Sequence, residues 1–205
     1  FAEFLRIGPR QLSRLFNDHL GASPMQVAQT RRLHFAKQLI DETHMSFSDV
    51  SFAAGFGSLR RFNAAMRKNY KLSPTQLREK CNVDRRKTDC ADTVECSVPY
   101  RPPFDWAAML SFLAYRAVPG VEAVTAYSYA RTFCLEGEAG HFEAFFEPAG
   151  HQIRVRITYP EMRHLRRIID RVCSVFDLKA DSNRIDQFLA KDSELVPMVR
   201  RFPGV

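Results

Sequence analysis

SFSDVSFAAGFGSLRRFNAAM, residues 46–66, decides how the first part of this chain is read. Ser46–Ala54 carries a short helical pattern, Gly55-Phe56-Gly57 interrupts it, and Ser58 stands where a cap would open a second helix. A helix, a three-residue glycine turn and another capped helix make a helix-turn-helix. Ser51 is small where two such helices must approach closely.

Shifting the sequence by 50 residues exposes an earlier copy. Ser23-Pro24-Met25-Gln26-Val27 falls on Ser73-Pro74-Thr75-Gln76-Leu77. Leu12 then pairs with Phe62, Leu15 with Ala65, Phe16 with Met66, Leu20 with Tyr70 and Arg10 with Arg60. In each copy the apolar positions fall at helical spacing on one packed face. Each helix is followed by Ser-Pro-x-Gln, in which Ser caps, Pro takes the first helical position and Gln closes a capping box. Ahead of the first copy, Ala2–Arg6, a turn at Ile7-Gly8 and a helix from Pro9 complete the second helix-turn-helix. Pro24 to Glu42 reads as one joining helix with Leu33, Ala36, Leu39 and Ile40 on its buried side. At 1.5 Å per residue it is roughly 28 Å long, near the ~34 Å between successive major-groove faces of B-DNA. One monomer could therefore present both helices to the same side of a duplex.

Their polar faces suit that use. Arg10, Gln11, Ser13 and Arg14 lie opposite the apolar face of the first helix, and Leu59, Arg60, Arg61 and Asn63 hold the corresponding part of the second. Arg pairs with guanine in a bidentate manner, and Asn or Gln pairs with adenine. Arg31, Arg32, Arg67 and Lys68 stand where phosphate contacts would position the protein. A single charged stripe is ordinarily a solvated helix face; two stripes at a fixed repeat, each behind a glycine turn, point to double-stranded DNA.

Charge follows the same division. The 205 residues carry 30 Lys and Arg against 23 Asp and Glu, a formal net of +7. Residues 1–80 hold 13 basic and 6 acidic side chains, and residues 81–205 hold 17 of each, so the whole excess lies in the first part. The most apolar run, Trp106–Tyr115, is too short to span a bilayer, and no signal-peptide pattern opens the sequence. Five cysteines, with no C-x-x-C spacing, suit reduced thiols and a cytoplasmic setting better than disulfides or zinc. The opening at Phe1, inside a helical pattern, suggests a piece of a longer protein.

Residues 81–97 lose apolar periodicity and read as a linker. From 98 to 205 the pattern is mixed. An apolar helix is expected from Asp105 to Val118 and strands at Val121–Leu135, Phe142–Glu147 and Gln152–Tyr159. Further helices are expected from Pro160 to about Phe176, over Ser182–Ala190 and over Glu194–Arg201. Asp105 reads as a helix cap rather than a catalytic carboxylate. Trp106, Phe112 and Tyr115 read as core, and Arg154 and Arg156 as an outward strand face open to solvent or phosphate.

Two resemblances follow from these residues. The run LHFAKQLIDETHMSFSDVSFAAGFGSLRRFNAAMRKNYKLSPTQLR resembles the AraC-type DNA-binding domain, marked by Gly55-Phe56, Phe62 and the closing Pro74. That likeness covers residues 1–80 and implies a double helix-turn-helix whose first helix would precede Phe1. Lys71 departs from it where the family commonly has a helix-ending Gly, and Leu59 where a base-facing residue is often polar. Pro99-Tyr100-Arg101-Pro102-Pro103-Phe104-Asp105-Trp106, with AAMLSFLAYRAVPGVEAV after it and Arg201-Phe202-Pro203-Gly204-Val205 at the end, resembles the N-terminal domain of AlkA-type 3-methyladenine DNA glycosylases.

The fold class expected is thus two domains. An all-α AraC-type double helix-turn-helix (1–80) and a linker (81–97) precede an α+β domain (98–205) with an antiparallel sheet plus helices, TATA-binding-protein-like. The combined resemblance implies part of a bacterial adaptive-response regulator and repair protein. No catalytic residue and no cofactor are expected in this stretch, and zinc would belong to an upstream methyl-accepting domain of the Ada type. Base excision by a DNA-3-methyladenine glycosylase II activity would belong to a domain after Val205. Double-stranded DNA is the expected partner, with RNA polymerase as a further partner of a regulator, no membrane, and a monomeric state. The rival reading is a purely transcriptional AraC-type regulator whose residues 98–205 bind a small-molecule effector; a docking scaffold is the third.

Overall fold

The computed structural model describes residues 5–80 and 92–204. These form two compact units, an N-terminal helical one and a C-terminal one built on a sheet. The expected turn of helix at Ala2–Arg6 lies largely outside the described residues.

The helical unit runs α1 (Pro9–Leu20), α2 (Pro24–Glu42), α3 (Phe47–Ala53), α4 (Leu59–Tyr70) and α5 (Pro74–Lys80). Its starts are encoded locally. Ser46 Oγ accepts the Asp49 N–H at 3.1 Å to open α3, and Ser58 Oγ accepts the Arg61 N–H at 3.3 Å to open α4. Both expected capping boxes close reciprocally. Ser23 and Gln26 exchange bonds of 2.7 and 3.3 Å at the head of α2, and Ser73 and Gln76 exchange bonds of 2.9 and 3.2 Å at the head of α5.

The α3–α4 turn requires a glycine. Gly55 has φ +79°, a conformation costly for any residue with a Cβ, and it lets the Phe56 N–H reach the Ser51 carbonyl at 2.9 Å. Phe56 is thereby brought edge-on to Phe62, ring centroids 5.4 Å apart. Val50, Ser51, Phe62 and Met66 are buried, as are Leu33, Phe35, Ala36, Leu39 and Ile40 of α2. Truncating a fully buried Phe of this kind costs roughly 3–5 kcal/mol. The first copy differs, because α1 has no buried residue, and Leu12 and Phe16 are only half-buried. Its face was expected to pack as the second does; residues 1–4, immediately upstream, lie outside the description.

The sheet unit runs β1 (Thr93–Pro99), α6 (Trp106–Arg116), β2 (Glu122–Val124), β3 (Ser128–Leu135), β4 (Glu138–Glu147), β5 (Gln152–Thr158), α7 (Leu165–Val175), α8 (Ser182–Leu189) and α9 (Val196–Arg201). The five strands form one antiparallel sheet in the order β1-β5-β4-β3-β2. Alternation sorts it into two faces. Val94, Cys96 and Val98, Phe142 and Ala144, and Ile153, Val155 and Ile157 are buried, as are Leu165, Ile168 and Val172 of α7. Phe176 lies 5.3 Å from the Trp106 ring and 5.6 Å from that of Tyr129. Gly140 marks a close approach, since a Cβ there would lie 2.8 Å from the Phe133 ring and 2.9 Å from the Thr158 carbonyl oxygen.

Several expectations are corrected. Residues 93–97, assigned to the linker, belong to β1; its buried positions are separated by Glu95 and Ser97, and that polar content masked the alternation. The single strand expected over Val121–Leu135 is broken, because Thr125 Oγ1 accepts the N–H groups of Tyr127 and Ser128 at 3.1 and 2.9 Å and turns the chain. The helix expected from Pro160 starts at Leu165, after a 3-10 turn over Met162–His164. Trp106 is core, but Phe112 and Tyr115 are 55% and 90% exposed. Apolar residues encircle α6, so its sequence did not distinguish the packed side; the Arg116 guanidinium covers the Phe112 ring at 4.7 Å.

Two tests address this construction. Lys71 holds the helix-ending position with φ +59°, as Gly21 does after α1 with φ +64°. A left-handed non-glycine residue costs about 1 kcal/mol, so Lys71→Gly is expected to raise the thermal midpoint of the helical unit, followed by circular dichroism. The second test concerns Tyr129, wholly buried with its hydroxyl donating to Glu122. Burial first, and that carboxylate second, push its phenol up to about 12. The folded state then keeps a proton that the unfolded chain releases near pH 10, so stability falls as pH rises from about 10 towards 12. Tyr129→Phe is expected to reduce that alkaline loss in urea midpoints compared at about pH 9 and 11.

Candidate nucleic-acid interface

The candidate interface is built from the first residues of α1 and α4. α4 turns Phe62 and Met66 inward and α1 half-covers Leu12 and Phe16, which leaves the intervening positions to solvent. Arg10, Gln11 and Arg14 are exposed on α1, and Ser13 is half-buried beside them. On α4, Arg60 and Arg61 are exposed, Leu59 is 40% exposed and Asn63 is half-buried. Helical spacing places Arg60, Asn63 and Arg67 in one row and Arg61 and Lys68 in the next. In α1 the same rows hold Arg10, Ser13, Arg14 and Asn17, then Gln11 and Asp18.

The two helices are electrically unequal. Counting Lys, Arg, Asp and Glu, α4 contains Arg60, Arg61, Arg67 and Lys68 with no acid, whereas α1 contains Arg10, Arg14 and one acid, Asp18. The 50-residue offset sets Asn17 and Asp18 against Arg67 and Lys68. The basic charge therefore concentrates on the second copy. Arg67 and Lys68 also occupy the last turn of α4, where a cation is favoured by the helix dipole whether or not DNA is present.

Arg31 and Arg32 are exposed on α2. The Arg32 side chain lies against the turn of the second motif, its Nε 3.7 Å from where a Cβ on Gly55 would stand. Arg78 is otherwise engaged: its Nη2 donates to the Met45 carbonyl at 2.7 Å and its guanidinium lies 4.1 Å over the Phe47 ring.

One part of this surface was not read from the sequence. Arg67, Lys71, Ser73, Thr75, Gln76 and Glu79 line an open cleft of about 550 Å³ where α4 gives way to α5. The signal was present in Lys71, a cation standing in a glycine position. It was read only as a departure from a family pattern.

The sheet unit offers a different chemistry. Asp105 caps α6, its Oδ1 accepting the Ala108 N–H at 2.9 Å, as expected for a cap. Arg154 reaches Glu95 at 3.5 Å and Glu147 at 3.3 Å, and Arg156 reaches Glu95 at 3.3 Å and Glu143 at 3.6 Å. The two arginines considered for phosphate are thus matched by three carboxylates across neighbouring strands. Among the described residues no group of His, Cys, Asp and Glu is arranged to hold a metal ion. Cys96 and Cys173 are buried free thiols and Cys134 is an exposed one, while Cys81 and Cys90 lie outside the described residues. No described helix is long and apolar enough to cross a membrane.

Comparison with known proteins assigns both parts. A model of the AlkA N-terminal domain matches residues 95–205, and a helix-turn-helix domain model matches residues 1–80. A protein of Mycobacterium tuberculosis named as a probable bifunctional transcriptional activator/DNA repair enzyme AlkA is 35% identical over 196 residues, which cover 95% of this chain and 39% of that protein. The regulator CdhR of Pseudomonas aeruginosa is 39% identical over 77 residues, covering 38% of this chain and 23% of its own. This chain thus spans about two fifths or less of the length of these relatives. An AraC-type transcriptional regulator from Chromobacterium violaceum, solved as a crystal structure, shares 30% identity over 40% of this chain and 74% of its own, with a TM-score of 0.38.

The interface makes a graded prediction. Arg60→Ala, at an exposed position expected to read bases, is expected to cost about 1–3 kcal/mol at a specific site, measured by fluorescence anisotropy. Arg67→Ala and Lys68→Ala are expected to weaken binding on every sequence and to lower the slope of log K against log salt by about 1 each. Unchanged slopes would place DNA elsewhere.

Proposed function

Because the chain belongs to the AlkA N-terminal domain family over residues 95–205 and carries a helix-turn-helix domain before it, we propose that it is the DNA-binding portion of a bacterial adaptive-response regulator and repair protein for alkylated DNA. The observation that carries this reading is the pair of helices α1 and α4, repeated at 50 residues with exposed arginines at their starts, on a segment holding the chain's entire +7 excess. Two such helices joined by a 19-residue helix suit two turns of one duplex face, so a monomer suffices. The relative's double name, activator and repair enzyme, supports a parent protein that combines promoter binding with base excision.

Excision of a methylated base requires a pocket that accepts a flipped nucleotide and a carboxylate facing the sugar. Asp105 is engaged in capping α6, and Trp106 is buried among Phe104, Phe146 and Phe176. The glycosylase chemistry is therefore assigned to a part of the protein beyond Val205, and any zinc-bound methyl acceptor to one before Phe1. As a regulator in the cytoplasm, the protein would bring RNA polymerase to the promoters it occupies.

The division is tested with the 205-residue chain. It is expected to bind duplex DNA with a steep salt dependence and to release no 3-methyladenine from methylated DNA. Release of free base by the purified chain would overturn the placement of the chemistry, and salt-independent or absent duplex binding would overturn the DNA assignment.

A further inference from the structure

The inner face of β3 is interrupted. Tyr129 and Leu135 on that face are buried, but between them Arg131 is exposed and Phe133 half-buried. The opening is a groove of about 430 Å³ between β3 and α7. Phe133, Phe142, Ile168 and Val175 give it apolar walls, and Arg131 and Arg171 stand at its margin. No carboxylate lines it.

The two guanidinium groups are not equally engaged. Arg131 reaches Glu122 at 3.3 Å, which fixes its position but leaves donors of its planar fork free. Arg171 makes only a long bond of 3.4 Å to the Cys134 carbonyl. Its neighbours on α7 differ: Arg166 pairs with Asp170, and Arg167 pairs with Glu136. Among the described residues Arg171 has no carboxylate partner. A cation held beside an apolar concavity attracts an anion more strongly than one in bulk water, because the local dielectric is lower. The volume also lies within the roughly 300–1,000 Å³ of small-molecule sites.

We propose that this groove binds a small organic anion, a carboxylate or phosphate head on a flat apolar body. The head would take the forked donors of Arg171 and Arg131, and the body would cover Phe133 and Val175. A bare inorganic anion would leave the apolar wall wet, and a neutral hydrophobe would leave both arginines unanswered. The inference stands on the sheet unit alone and is independent of DNA binding by the helical unit.

The test titrates the 205-residue protein with 1-naphthoate, 1-naphthyl phosphate, 1-naphthamide and inorganic phosphate, by calorimetry and by amide NMR. One of the two naphthyl anions is expected to saturate, with shifts centred on Thr132, Cys134 and Ser174; the tighter of them identifies the head group. The amide and inorganic phosphate are expected to bind about tenfold more weakly or worse, because each lacks half of the recognition. Arg171→Ala, at an exposed position, is expected to weaken the anion about tenfold while leaving the thermal midpoint unchanged. No saturation by either anion up to ~10 mM, a weakest-class affinity, would overturn the proposal. So would equal affinity for the amide, or an unchanged affinity in Arg171→Ala.

Discussion

The left-handed backbone at Gly55 is the constraint from which the second DNA-binding motif follows. With φ at +79°, the chain leaves α3 so that the Phe56 N–H meets the Ser51 carbonyl and the Phe56 ring falls onto Phe62. That contact fixes which side of α4 is inward. Once Phe62 and Met66 are committed to the interior, the 3.6-residue period leaves Arg60, Arg61, Arg67 and Lys68 outward. Charge placement on α4 is thus a geometric result of one turn, and Ser58 only has to begin the helix on time.

The sheet unit handles charge in the opposite way. Strand alternation drives its apolar residues to one face and leaves Glu95, Glu143, Glu147, Arg154 and Arg156 on the other, where cross-strand neighbours of opposite sign meet. Glu95, which both arginines share, is only 10% exposed, so its charge is answered inside the face rather than by water. The effect of these pairs is electrostatic bookkeeping, since they cancel the arginines that would otherwise draw this unit towards nucleic acid. The chain keeps its attraction for DNA in one half and its neutrality in the other.

Much of this was legible from the residues. Caps and turns are local events, so Ser23, Ser58, Ser73 and Asp105 could be assigned one by one, and α2 could be bounded at both ends. Alternation exposed β5 because Ile153, Val155 and Ile157 are strongly apolar, and hid β1 because Cys96 and the charged Glu95 blur the period. What escaped the reading depends on neighbours distant in sequence. Whether Phe112 and Tyr115 are covered is decided by what α6 meets, and a ring of apolar residues carries no sign of that. The cleft at Lys71 and the groove beside Arg171 each need two elements in place, α4 with α5 in one case and β3 with α7 in the other. On the interface itself the sequence named the outward rows of α1 and α4, and it missed how unevenly charge is shared between them.

The reciprocal boxes at Ser23–Gln26 and Ser73–Gln76 have a consequence for how duplicated folds are recognised. Between the two copies the interior has changed: Leu12 stands at the position of Phe62 and Phe16 at that of Met66, and one set is half-covered while the other is sealed. The punctuation at the heads of α2 and α5 has not changed. A helix start written in four adjacent residues is closed by its own side chains and backbone, so it tolerates drift in everything it does not touch. What this chain repeats is therefore its sentence breaks rather than its vocabulary, and kinship between such modules is better sought in where their helices begin than in what they bury.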